Sequence, residues 1–333
     1  MKSILLGAEA FDRFAEIFAS SGLEPVRIPP DERLNDLVSS HADTHVFACG
    51  NAALINCELA ERIGLQTKEL PDTEDAAHPR ANTSEAVEKH PDADARKRAA
   101  QNVTNRRSAQ KSIDINETLH EASPHDRTFQ NAHKKAAGLY ASRDFPYGDY
   151  PSDTRFNALS FCGRVYGRTA SLSPDVLSLA ALMGAVPVNV KQGYARCAVL
   201  PLEAAGRAVT ADKGLAAALR ANGADVLLIA PSSIQLGKRT DGFIGGASAV
   251  DEETRRVWLF GQADSIPDGG SIRDFIHESG YTLIEGGGKL TDLGGGVILD
   301  AQKAYRSKHD SIFESVAESS THRESASALR KNS

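Results

Sequence analysis

Two hydrophobic rhythms run along the 333-residue chain, and one combination of them recurs. An amphipathic stretch with helical spacing ends at a glycine, and an apolar, strand-like run follows at once. The copies are AFDRFAEIFASSG/LEPVRI ending at Gly22, INCELAERIG/LQTKEL at Gly64, VLSLAALMG/AVPVNV at Gly184, LAAALRANG/ADVLLI at Gly223 and IRDFIHESG/YTLIEG at Gly280. Each glycine stands where a helix would close in a left-handed conformation, which costs glycine least. Small-residue, strand-like sequence precedes four of the five copies, so the predicted unit is strand–strand–helix–strand. Repetition of such a unit predicts a radially or linearly repeated α/β fold.

Most neighbouring copies lie roughly 40–60 residues apart, but Gly64 and Gly184 are separated by about 120. Residues 71–138 carry Val87, Val103, Ile113, Ile115, Leu119 and Phe129 as their only large apolar side chains, among mixed charges. Such a stretch buries too little apolar surface to offset chain ordering. The expected organisation is units 1 and 2 over residues 1–70, a disordered polar insertion over 71–144, and units 3 to 5 with a closing strand over 145–303. Both ordered parts belong to one domain, and residues 304–333 read as a disordered tail.

A second repeat lies within the first. VFACGN (46–51), LSFCGR (159–164), FIGGAS (243–248) and LGGGVI (293–298) each run from an apolar residue into Cys-Gly or Gly-Gly. Small residues at one register imply close backbone approach, which in a ring means the axis. The fourth unit, GYARCAVL (193–200), puts Tyr194, Arg196 and Cys197 there instead. The final strand has no helix of the repeated type after it, so it is expected to pair beside Ser3–Gly7 and close unit 1.

Composition narrows the class. The chain is 41% hydrophobic and 25% charged, enough for a sizeable core. A net charge of −6 gives no reason to invoke nucleic acid or an anionic membrane. No window approaches the roughly 20 apolar residues of a spanning helix, and the first residues do not read as a secretory signal. Cys49, Cys57, Cys162 and Cys197 lack zinc-type spacing and read as free thiols, from which a cytoplasmic location is expected.

With these elements in place, the chain resembles the pentein, or guanidino-group modifying enzyme, fold, a five-fold pseudosymmetric α/β propeller. QGYARCAVLP (192–201), TADKGLAAAL (210–219), ADVLLIAP (224–231), DGFIGGAS (241–248), FGQADSIPDGGSIRDFI (260–276) and LTDLGGGVI (291–298) are similar to an uncharacterised bacterial family assigned to that fold. The likeness covers about 145–299 well and is weaker over 1–70, where HADTHVF (41–47) matches best. Catalytic penteins resemble one another in a last-unit cysteine nucleophile. Here that strand reads Leu293-Gly294-Gly295-Gly296-Val297, and no cysteine follows Cys197. A thiolate attack on a guanidinium carbon is therefore not implied.

Candidate chemistry is sparse. His41, Asp43 and His45 form H-x-D-x-H, whose alternate residues share a face if the segment is extended, as for a metal or acid/base cluster. The plainer alternative is a polar strand entry. Cys197 is a candidate nucleophile beside Arg196 and Lys191, or else a small buried hydrophobe of an inner strand. His277 falls near a helix C-terminus and reads as structural. Asp43, Asp241 and Asp292 form a candidate axial set for a cationic or guanidino-type ligand, whereas Asp212 reads as a helix cap. The glycine runs lack the order of a phosphate loop. No cofactor is required by the sequence. The expectation is a pentein-type protein binding a small polar or cationic ligand at the axis, with a non-catalytic interaction scaffold for a protein partner, or a divergent hydrolase or amidinotransferase using other residues, as alternatives.

Overall fold

A computed structural model describes residues 2–71 and 137–300. The tail expected from residue 304 and most of the expected insertion lie outside the described residues.

The predicted unit recurs in the chain order. β1 (Lys2–Gly7), α1 (Ala8–Ser20) and β2 (Leu23–Ile28) come first. α2 (Ala42–His45), β3 (Val46–Cys49), β4 (Ala52–Asn56), α3 (Cys57–Arg62), β5 (Lys68–Glu69) and β6 (Gly138–Ser142) form the second unit. The third is β7 (Leu159–Phe161), β8 (Arg164–Gly167), α4 (Pro174–Leu182) and β9 (Val186–Asn189). The fourth is β10 (Val199–Leu202), β11 (Arg207–Thr210), α5 (Lys213–Ala221) and β12 (Asp225–Leu228), followed by a hairpin of β13 (Ile234–Leu236) and β14 (Arg239–Gly242). The fifth is β15 (Ser248–Asp251), β16 (Arg256–Leu259), α6 (Gly269–Glu278) and β17 (Thr282–Glu285), and β18 (Gly296–Asp300) ends the described chain.

In the third, fourth and fifth units the first two strands pair antiparallel and the strand after the helix joins the second in parallel. In the second unit β6 takes that place beside β4, and β5 pairs outside it. A parallel partner needs a crossover, and the amphipathic helix supplies it. Helix ends follow from local chemistry. Asn56, Ser173 and Asp212 cap α3, α4 and α5 by accepting from the amides of Leu59, Asp175 and Leu215. All five predicted glycines adopt positive φ, from 71° at Gly184 to 90° at Gly223.

Unit 1 is completed by the far end of the chain. β18 pairs antiparallel with β1, from Lys2↔Asp300 to Leu6↔Gly296. It also meets β15 in parallel at Ala249↔Gly296, so units 5 and 1 share the six-stranded sheet β17-β16-β15-β18-β1-β2. Among the described residues the others are a four-stranded sheet β3-β4-β6-β5, two three-stranded sheets and the β13–β14 hairpin.

The core divides into clusters, each drawn from two units. Leu5, Ile28 and Val297 pack with Val46, Ile55 and Leu59 between units 1 and 2. Phe47 and Leu54 meet Phe156, Val165 and Val176 between units 2 and 3. Phe161 and Tyr166 meet Val199 and Leu215 between 3 and 4, and Leu200 and Val209 meet Val257 and Ile272 between 4 and 5. Ile4, Phe14 and Phe18 pack on Trp258 and Phe260, joining unit 5 back to unit 1.

Two expectations require correction. Gly138–Ser142 is a strand in the middle of the second sheet, pairing with β4 and β5, so the ordered chain resumes before residue 145. The small-residue motifs also do not share one register. Cys49-Gly50 and Cys162-Gly163 lead into the tight β3–β4 and β7–β8 turns, where Gly50, Cys162 and Gly163 have positive φ. Gly245-Gly246 and Gly294-Gly295 instead precede β15 and β18. A tight hairpin turn and a close backbone crossing favour the same small residues for different reasons.

Candidate functional site

Short turns lead into the first strands of several units, and their backbones are tied together. The Gly246 amide donates to Cys197 O at 2.9 Å, while Gly246 O accepts from Leu293 and Gly295 at 3.0 and 2.7 Å. The Asp43 amide donates to Gly294 O at 3.0 Å. Side chains would obstruct this crossing. A Cβ on Gly246 would lie 2.0 Å from Asp292 Oδ1, and one on Gly294 would lie 2.2 Å from His41 Cβ.

Asp43 sits in the helical turn α2 and is completely buried. Among the described residues neither of its carboxylate oxygens has a hydrogen bond of good geometry. Its neighbours act on it electrostatically. Burial, then the charge of Asp292, pushes its pKa up to about 7, against the opposing pull of the Cys197 thiol and the Arg196 guanidinium. The Cys197 thiol and the Asp43 amide both lie near enough to favour the charged form.

Asp292 is the contrasting carboxyl. Its Oδ2 accepts from the Phe243 amide at 2.8 Å and its Oδ1 from the Gly294 amide at 3.1 Å. Burial still holds it up to about 6. Asp292 is therefore built into the backbone crossing, while neither Asp43 oxygen has a hydrogen bond of good geometry among the described residues.

Cys197 lies in the turn before β10, not on an inner strand as expected. Asn157, wholly buried, cradles it: Nδ2 donates to Sγ at 2.9 Å, and Oδ1 accepts from the Arg196 and Cys197 amides at 2.9 and 3.2 Å. Burial and the charges of Asp43 and Asp292 push the thiol well above its ordinary pKa. A protonated thiol is a poor nucleophile. Nearby, the Tyr194 hydroxyl donates to the buried Asp153 carboxylate. The Tyr194 ring lies between Tyr150 and Phe243, with centroids 5.7 and 6.2 Å away.

The H-x-D-x-H segment is corrected in form. It is a helical turn with His41 at its N-cap, so Asp43 does not share a strand face with the two histidines. His45 Nε2 pairs with Ser39 O at 2.9 Å, and burial lowers both imidazoles, His41 to about 4. Burial thus favours the uncharged form of each. Among the described residues no group of three or more His, Cys, Asp or Glu could hold a metal ion.

Asp241 does not join the other two aspartates. It is exposed on β14, ion-paired with Arg239 two residues earlier, and acts on Asp292 as a repulsive charge. His277 is exposed in the last turn of α6, and Asp212 caps α5 as expected. Asn157 and Asp153 were not singled out by the sequence. Asn157 could have been found by position: it precedes β7 by the same offset at which Cys197 precedes β10 and Gly246 precedes β15.

These features define a mixed α/β protein of five strand–strand–helix–strand units with a buried, unpartnered carboxyl where their entry turns cross. The chain belongs to DUF6873, a family of unknown function whose model matches residues 76–298. Cys197 and Asp292 lie within that span and Asp43 before it. Comparison with curated proteins finds no match.

Proposed function

We propose that the five units form a closed pentein-type ring and that Asp43, at its axis, binds the cationic group of a small organic ligand. Ring closure is supported by core clusters between each successive pair of units, including units 5 and 1. It is also supported by the first strands, since β3 adjoins β7 and β10 and β18 both adjoin β15. The observation that carries the binding reading is the Asp43 carboxyl, fully buried with neither oxygen in a hydrogen bond of good geometry among the described residues. Leaving such a group unpartnered costs about 1–3 kcal/mol, more when charged, and a guanidinium or ammonium would offset that cost with charge-assisted hydrogen bonds.

Burial and the neighbouring carboxylates raise the Cys197 thiol well above its ordinary pKa, which disfavours it as a nucleophile, so the reading is one of binding. A thermal-shift panel of agmatine, L-arginine, alkylamines and divalent metals tests the proposal. An organic cation is expected to raise the melting temperature of the native chain and to lose that effect in Asp43→Asn. A flat response across the panel, or one that Asp43→Asn retains, contradicts it.

A further inference from the structure

A separate cavity of 420 Å³ runs along the first strands of all five units. Val46, Arg196 and Gly296 line it where those strands begin, and Gly50, Glu203 and Asp300 where they end. Asp43 and Asp292 are not among its walls.

Its two ends differ in charge. At the inner end is Arg196, which pairs with no carboxylate among the described residues; its guanidinium makes one long contact, 3.4 Å, to Val199 O. At the outer end Lys2 is already bound to Asp251 and Glu253, at 2.7 Å each. Among the described residues no cation pairs with Glu203 or Glu252. Glu252 accepts from the Glu203 and Ala204 amides at 3.0 Å and from the Tyr281 hydroxyl, while Glu203 accepts from the Cys162 amide at 2.7 Å. Burial, and to a smaller extent the neighbouring Glu252 charge, pushes Glu203 up to about 7 against the Cys162 amide.

We propose that this cavity is a second binding site, for a small zwitterion whose anionic end meets Arg196 and whose cationic end meets Glu203 and Glu252. An arginine fork presents several donors matched to a carboxylate, and only one of its N–H groups has a partner here. A plain anion would face the acidic mouth unaided, and a plain cation would gain nothing from Arg196. A dipolar molecule long enough to span the cavity satisfies both ends. The two sites share no carboxylate, but Arg196 also acts on the charge of Asp43, so the titrations are repeated on Asp43→Asn, in which amino-carboxylate binding should persist.

Calorimetric titration of the full chain with ω-amino carboxylates, against diamines and dicarboxylates of equal chain length, tests it. The amino carboxylate is expected to bind at least about tenfold more tightly than either control, the loss of one charged contact in each case. Arg196→Met should reduce amino-carboxylate binding to the level of the diamine, and Glu203→Gln should weaken it separately at the far end. Unaltered melting temperatures would establish that both variants are folded. Equal binding of all three ligand types, no binding by any of them, or indifference to both substitutions would overturn the assignment.

Discussion

Asp43 sets the pH behaviour expected of the folded chain. Its carboxyl is held at about 7 in the fold against an ordinary value of 3.8, so the folded state binds the proton more tightly than the unfolded state does. That stabilisation is complete below the unfolded value and is lost as pH rises through about 7. Asp292, held at about 6, acts in the same direction. Asp43→Asn removes the larger part of this dependence. Urea unfolding at a series of pH values should show a flatter profile between about pH 4 and pH 7 for the variant. At about pH 8 the variant should be more stable by on the order of 2–4 kcal/mol. A wild-type chain whose stability rises over that range would contradict the assignment. The aspartates were legible as residues, but their surroundings were not. Arg239 stands two positions before Asp241 on one hairpin strand, a spacing that places both on the same face and gives the carboxylate a local partner. Asp43 has no such local partner, and only the distant crossing of Gly294 over its turn explains its burial.

At the scale of elements, the repeated helix and its terminal glycine were fully visible, because both signals are local and need no tertiary contact. The entry turns were not. A helical turn of four residues carries no periodicity, so H-x-D-x-H looked like an extended run until residues 41–45 met the backbone at Gly294. Gly294 itself shows why that crossing constrains sequence: its φ is +80°, and a Cβ there would collide with His41. Gly294→Ala is expected to lower stability by about 2–4 kcal/mol, combining left-handed strain with the displacement of α2. Denaturant unfolding measures this directly, and a change below about 0.5 kcal/mol would contradict the close crossing.

For the whole molecule, the repeat and the pairing of the last strand with the first followed from counting units and asking what covers their edges. Five similar modules leave one strand short at the start and one spare at the end, and β18 beside β1 resolves both. The location of the cavity could not be read in this way, since its walls come from every unit and its charged ends, Arg196 and Glu203, share no local motif. The central claim is that the arrangement places an ionisable, unpartnered carboxyl where a cation can meet it. A bound cation favours the charged form of Asp43, so binding should strengthen as pH rises through about 7 and should release a proton below that value. Agmatine calorimetry at about pH 6 and pH 8, in buffers of different ionisation enthalpy, measures affinity and proton release together. The account predicts tighter binding at the higher pH, proton release at the lower, and loss of both in Asp43→Asn; pH-independent binding without proton release would contradict it.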